Sequence, residues 1–236
     1  MSGVHMKRPL KIIIPAVLII FAAVLTAKAQ TEGFNVKTPV QKISDSASDF
    51  LNGILAEAKS DPAKSISKEL VCESDCYLVV PSIAPVSGRD DFAGTGLLTC
   101  RAQGTGRPSP PLFYHLTNIE TFGESGGGVV VFIMDKAGMK SVLGDQFQLT
   151  AANSGAGGVG EKSSGNKSFV GFVMPSGGAV QGFDPSGSTL VYASGDTFNA
   201  YQQDLDPVDV MLFGIDVPPA LRGFTSSVDE LLKGCK

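Results

Sequence analysis

Tryptophan is absent from the 236 residues, and histidine is nearly so, with only His5 and His115. The shortage of histidine bears directly on chemistry. Gly123-Glu124-Ser125-Gly126-Gly127 fits the G-x-S-x-G pattern of a nucleophile elbow. Such a serine needs a neighbouring base, and it needs a strand before it and a helix after it. Here a β-branched, strand-like run, Val129 to Met134, follows the glycines instead. His115 would have to serve alone, from within an apolar stretch. The hydrolase reading with Ser125 and His115 is therefore the weakest one, and no catalytic residue is assigned.

A long hydrophobic span is also missing. The uncharged run Ile12 to Ala27 has 16 residues, short of the ~20 that cross a bilayer. It follows Lys7, Arg8 and Lys11 and leads to the small-x-small sequence Ala27-Lys28-Ala29. That is the layout of a secretory signal peptide over residues 1–29, with an uncleaved anchor as the alternative. Residues 30–236 are then expected in the periplasm or outside the cell, as one domain.

Excess positive charge is lacking as well. Four of the 19 Lys and Arg lie in residues 1–29, and none of the 23 Asp and Glu does, so residues 30–236 carry a formal charge of −8. That excludes a general nucleic-acid binder, which needs a basic footprint. An anionic lipid would have to meet a local patch.

All four cysteines, Cys72, Cys76, Cys100 and Cys235, lie outside the exported signal. In an oxidising compartment an even number suggests disulfides. Cys76 opens one strand-like run and Cys100 closes another, which suits a cross-strand bridge and leaves Cys72 for Cys235. The pairing Cys72–Cys76 is the rival. Cys-x3-Cys without a further Cys or His nearby is a poor zinc site, so no metal is expected. Gly155-Ala156-Gly157-Gly158-Val159-Gly160 matches the dinucleotide fingerprint G-x-G-x-x-G. A polar, loop-like segment follows it where a helix is required, so no cofactor is expected.

Val40, Ile43, Ala47, Phe50, Leu51, Ile54, Leu55 and Ala58 recur at spacings of three and four, which predicts an amphipathic helix over 40–58. A short helix over 63–70 follows. Strands are then expected at 77–83, 94–100, 112–121, 129–134, 147–152, 168–174, 179–183 and 188–192, with a hairpin turn around Pro175-Ser176-Gly177-Gly178. Asp135 suits the N-cap of a helix over 136–143. Asp206-Pro207, Pro218-Pro219 and the stretch 226–233 read as C-terminal helices. The fold class is α+β: a curved antiparallel sheet or partial β-barrel of short strands, covered by the N-terminal amphipathic helix and the C-terminal helices.

Several blocks in this order resemble the SYLF lipid-binding domain. They are Ser109-Pro110-Pro111-Leu112-Phe113, Gly123 to Gly128 with Val129 to Met134, Phe147-Gln148-Leu149, Gly157-Gly158-Val159-Gly160, Phe169 to Gly182, and Asn199-Ala200-Tyr201. The resemblance covers roughly residues 40–225. It implies that both glycine motifs are structural, and that lipid is met by the N-terminal helix. Pro108 stands where the family usually carries Trp, and the helix is mixed in charge rather than basic. What carries over is the fold and a general lipid or envelope association, in a protein that is not an enzyme.

The candidate lipid contacts are Lys37, Lys42 and Lys59 as head-group partners and Phe50, Leu51 and Ile54 as apolar contacts. The competing reading makes these three apolar residues core and the helix a cover for the sheet. The expected partner is a lipid or membrane surface; the alternative is an envelope protein.

Overall fold

The computed structural model describes residues 37–101, 107–120, 122, 127–162, 165–176, 178–213 and 215–235. The signal segment 1–29 lies outside the described residues. In chain order the helices are α1 (Pro39–Ser60), α2 (Lys68–Glu73), α3 (Lys136–Val142), α4 (Ser194–Tyr201), α5 (Pro207–Phe213) and α6 (Arg222–Leu232). The strands are β1 (Cys76–Val80), β2 (Ala84–Pro85), β3 (Phe92–Cys100), β4 (Leu112–Ile119), β5 (Gly127–Ile133), β6 (Gln146–Gln148), β7 (Ser154–Ala156), β8 (Phe169–Pro175), β9 (Gln181–Phe183) and β10 (Thr189–Tyr192).

The strands form one strongly curled sheet, a half-barrel, in the order β6-β10-β4-β3-β1-β5-β8-β7, with β2 added to β3 and β9 to β8. The mixed α+β architecture with an N-terminal helix and C-terminal helices is the expected one. Curling brings strands close enough that some positions have no room for a side chain. A Cβ on Gly96 would lie 2.2 Å from the Val79 carbonyl oxygen. The β3–β4 pairing also shifts register between Phe92 and Gly94, the kind of irregularity that bends a sheet.

Both faces of the sheet are packed. Along β1, side chains alternate between two hydrophobic layers, as the strand period of two requires. Tyr77 and Val79 join a layer with α1, α2 and α6; Cys76, Leu78 and Val80 join the opposite one with α3 and α5. All five are essentially without exposed surface.

Helix α1 begins at Thr38, whose hydroxyl accepts the Gln41 N–H at 3.2 Å, with Pro39 in the first turn. Its inward stripe is Val40, Ser44, Ala47, Phe50, Leu51 and Ile54. Withdrawing Phe50, Leu51 and Ile54 from water stabilises the fold by about 1.5–3 kcal/mol each. Small residues let α6 lie close by: a Cβ on Gly223 would approach the Ser48 hydroxyl to 3.4 Å.

Four expectations are corrected. The sheet is not wholly antiparallel, because β7 pairs in parallel with β8. The chain between them, residues 157–168, has the dozen residues that a parallel return needs. The strand expected over 147–152 is only Gln146–Gln148. Beyond it the chain turns, and Asn153 Oδ1 accepts the Thr150 N–H at 2.8 Å. The helix expected over 63–70 is split into a 3-10 turn, Pro62–Lys64, and α2. Ser67 separates them by accepting the Leu70 N–H, as an N-cap does. Helix α4 was not anticipated, since Gly195, Asp196, Thr197 and Asn199 are poor helix formers. Contacts from outside the helix hold it. The Phe113 N–H donates to Thr197 Oγ1 at 3.2 Å, and the Tyr201 hydroxyl donates to the Pro111 carbonyl at 2.8 Å.

Disulfides join Cys72 to Cys235 and Cys76 to Cys100. Their presence indicates an oxidising, non-cytoplasmic compartment. The first closes a loop with a sequence separation of 163, and the second one of 24. In the chain-entropy account the longer loop restrains the unfolded chain more, by ~5 against ~3.5 kcal/mol. The pair Cys72→Ser with Cys235→Ser is accordingly expected to lower unfolding free energy by up to about 5 kcal/mol in denaturant titration. A loss smaller than that from Cys76→Ala with Cys100→Ala would show that native packing, not loop closure, governs both.

Candidate functional site

A groove of about 620 Å³ opens where α1 ends. Its apolar lining comprises Ile54, Leu55 and Ala58 of α1, then Pro62, Ala63, Ile66 and Val71, with Val159 and Leu231 of α6. The charged groups at its margin are Lys68 and Glu69 of α2 and Glu161 and Lys162 of the loop after β7, and Ser65 and Ser67 also line it. A concave apolar site with a few placed polar groups is the usual form of a small-ligand pocket.

Each wall is fixed by identifiable bonds. Cys72 and Cys235 tie α2 to the end of α6, and Lys68 Nζ donates to the Leu231 carbonyl at 2.7 Å. The buried Tyr77 hydroxyl donates to the Val71 carbonyl at 2.8 Å and accepts from Arg101 Nη2 at 2.9 Å. Burial raises the Tyr77 pKa, while the Arg101 hydrogen bond opposes the rise. The loop is held by the Gly160 N–H, which donates to the Ser65 carbonyl at 2.9 Å. Gly160 has φ +75°, and a Cβ there would lie 2.9 Å from the Ala63 carbonyl oxygen.

The charges of the margin differ in how they are compensated. Lys162 Nζ lies 3.0 Å from Glu69 Oε1. That contact holds the Glu69 carboxyl below its ordinary pKa. Among the described residues, neither Lys68 nor Glu161 forms an ion pair within 4.0 Å. Partial burial lowers the Lys68 pKa; Glu230 opposes that shift, and Arg101 adds to it as a like charge.

The six residues expected to meet lipid do not form one surface. Phe50, Leu51 and Ile54 are 7%, 1% and 3% exposed and belong to the core. Only Ile54 also lines the groove. Lys37, Lys42 and Lys59 are exposed. Lys37 is bound to Asp45 at 2.7 Å, which raises its pKa. Helix geometry puts Lys42 and Lys59 about 25 Å apart along the axis and roughly 100° apart around it. The three lysines are therefore not a basic face. The groove draws on three regions remote in sequence, 54–71, 159–162 and Leu231, and Leu55, Ala58, Ile66, Lys68 and Leu231 carry no local motif. Their one legible sign is the continuation of the α1 apolar stripe through Leu55 and Ala58.

Ser125 lies outside the described residues. His115 Nδ1 is 2.9 Å from Thr95 Oγ1 on the adjacent strand, and Nε2 is 4.0 Å from Asp196 Oδ2. In the glycine stretch 155–160, strand β7 leads into a loop rather than a helix, so the arrangement that receives a pyrophosphate is not built. Among the described residues no cluster of three or more His, Cys, Asp or Glu could hold a metal, and no helix is long and apolar enough to cross a membrane.

Compared with known proteins, the chain is matched by no family model and by no curated protein.

The groove wall gives a direct test. Gly160→Ala forces an L-residue into left-handed backbone against the Ala63 carbonyl, and is expected to cost roughly 1–2 kcal/mol. The change is read as a lower melting temperature together with loss of amide-exchange protection at Gly160. Unchanged protection would mean that the loop does not depend on this turn.

Proposed function

We propose that this protein is a non-enzymatic lipid-binding module of the cell envelope, acting in the periplasm or outside the cell after removal of residues 1–29. The observation that carries the reading is the apolar groove bounded by Ile54, Leu55, Ile66, Val71 and Leu231, with charged groups at its margin. A lipid would lay its hydrocarbon against these side chains and keep its head group in water. The resemblance to the SYLF domain supports the same class of function, with the groove rather than the outer face of α1 as the contact. Ile54 is common to both accounts.

One observation favours a second reading. The inward stripe of α1 is buried in the core along its length, with Ile54 alone also reaching the groove, as in a helix that covers a sheet within a structural or protein-interaction domain.

Native mass spectrometry of the protein purified from an oxidising compartment, followed by organic extraction, distinguishes the two. A co-purifying lipid, lost in Ile66→Asp at unchanged disulfide content, is the expected result. Protein free of lipid that also fails to float with liposomes of any composition would leave the interaction-domain reading. The intact mass in the same experiment is expected to begin at Gln30.

A further inference from the structure

The margin of the groove holds two opposite charges that do not answer each other. Among the described residues Lys68, on α2, has its ammonium hydrogen-bonded only to the neutral Leu231 carbonyl. Glu161, on the loop facing it, has no cationic partner among the described residues. Glu69 and Lys162, which share the margin, neutralise each other at 3.0 Å. Three of Lys68's features favour an incoming anion. Its amine is partly withdrawn from water, Arg101 adds positive charge that works against the nearby Glu230 carboxylate, and an ammonium has three donors of which the carbonyl takes one. The Glu161 carboxylate folds over Gly158 of its own loop and, without a cationic partner among the described residues, can take an incoming cation.

Both charges line a groove whose apolar surface includes Ile66, Val71 and Leu231, with Ser65 and Ser67 beside them, in a volume suited to a ligand of drug-like size. Such a volume suits the bulk of one acyl chain better than that of two. Resting on the lipid-binding reading above, we infer that the groove selects a single-chain zwitterionic amphiphile of the lysophospholipid kind. Its phosphate sits at Lys68, its quaternary ammonium at Glu161, and its chain on Ile66, Val71 and Leu231. A purely anionic or cationic head group satisfies one charge and meets repulsion from the other.

Calorimetric titration below the critical micelle concentration tests this with three probes of equal chain length: lysophosphatidylcholine, a fatty acid and an alkyltrimethylammonium. The zwitterion is expected to bind most tightly. Each added methylene should tighten it about fourfold until the groove is filled, the factor equivalent to ~0.8 kcal/mol per buried CH₂. Lys68→Gln should weaken the zwitterion roughly tenfold and turn the preference towards the cationic probe. Glu161→Gln, on a separate element, should turn it towards the fatty acid. Equal binding of all three probes, or no change of rank in either variant, would overturn the head-group assignment and leave lipid binding standing. Failure of every probe to bind would remove the groove as a lipid site altogether.

Discussion

Strand β1 is bounded on every side. It pairs with β3 on one edge and β5 on the other, and each face is covered by a packed layer. Five consecutive residues, Cys76 to Val80, therefore have to satisfy four neighbours at once. Polar atoms here need partners, because an unmet hydrogen bond in such a place costs about 1–3 kcal/mol. The one side-chain hydroxyl in the strand, on Tyr77, is placed to reach the carbonyl of Val71 and the guanidinium of Arg101. Through that hydroxyl the sheet fixes α2, and through Cys72 helix α2 fixes the end of α6. The Cys76–Cys100 bond lies across the same strand pair, between register partners. Disturbing β1 would loosen both layers together.

The groove follows from how this frame ends. Helix α1 covers the sheet with the stripe from Val40 to Ile54, then runs on to Ser60. Its last apolar residues, Leu55 and Ala58, are only partly buried, because what stands opposite them is α2, a short turn and the loop after β7 rather than the sheet. Three short segments and one helix end leave a hollow that a longer element would fill. The bonds that hold the hollow open are mostly backbone bonds or covalent ones: Gly160 to Ser65, Lys68 to Leu231, Cys72 to Cys235. The apolar side chains lining it take no part in these bonds.

What could be seen in the sequence beforehand divides along physical lines. Helix α1 was legible because a cap, a first-turn proline and a stripe at three-and-four spacing agree with one another. So were β4, β5 and β8, whose apolar runs are bounded by turn residues. Strand β7 was not, since Ser154–Ala156 has almost no side chain to bury and owes its state to backbone pairing with Phe169, Val170 and Gly171. Helix α4 was hidden for a related reason: its formation rests on hydrogen bonds to residues some 84 and 90 positions away. The groove was the least visible feature. Periodicity reports which residues leave water, and Ile54 does so whether it meets the core or a ligand. Which of the lysines stand beside apolar surface is settled only by tertiary contacts.

The glycine motifs make the same point from the other side. A catalytic or nucleotide-binding glycine is small so that a substrate can approach the backbone. Here the space is already taken by the protein itself. A Cβ on Gly157 would lie 2.0 Å from the ring of Phe172, and one on Gly128 would lie 2.6 Å from that of Phe50. Both rings are buried in the layer beneath α1. Gly128 and Gly157 therefore admit aromatic side chains to a curled sheet, while Gly127 and Gly160 lie against the backbone of Met174 and Ala63. A pattern that matches a motif by letters is distinguished from one that matches by mechanism through what occupies the volume where a Cβ would be.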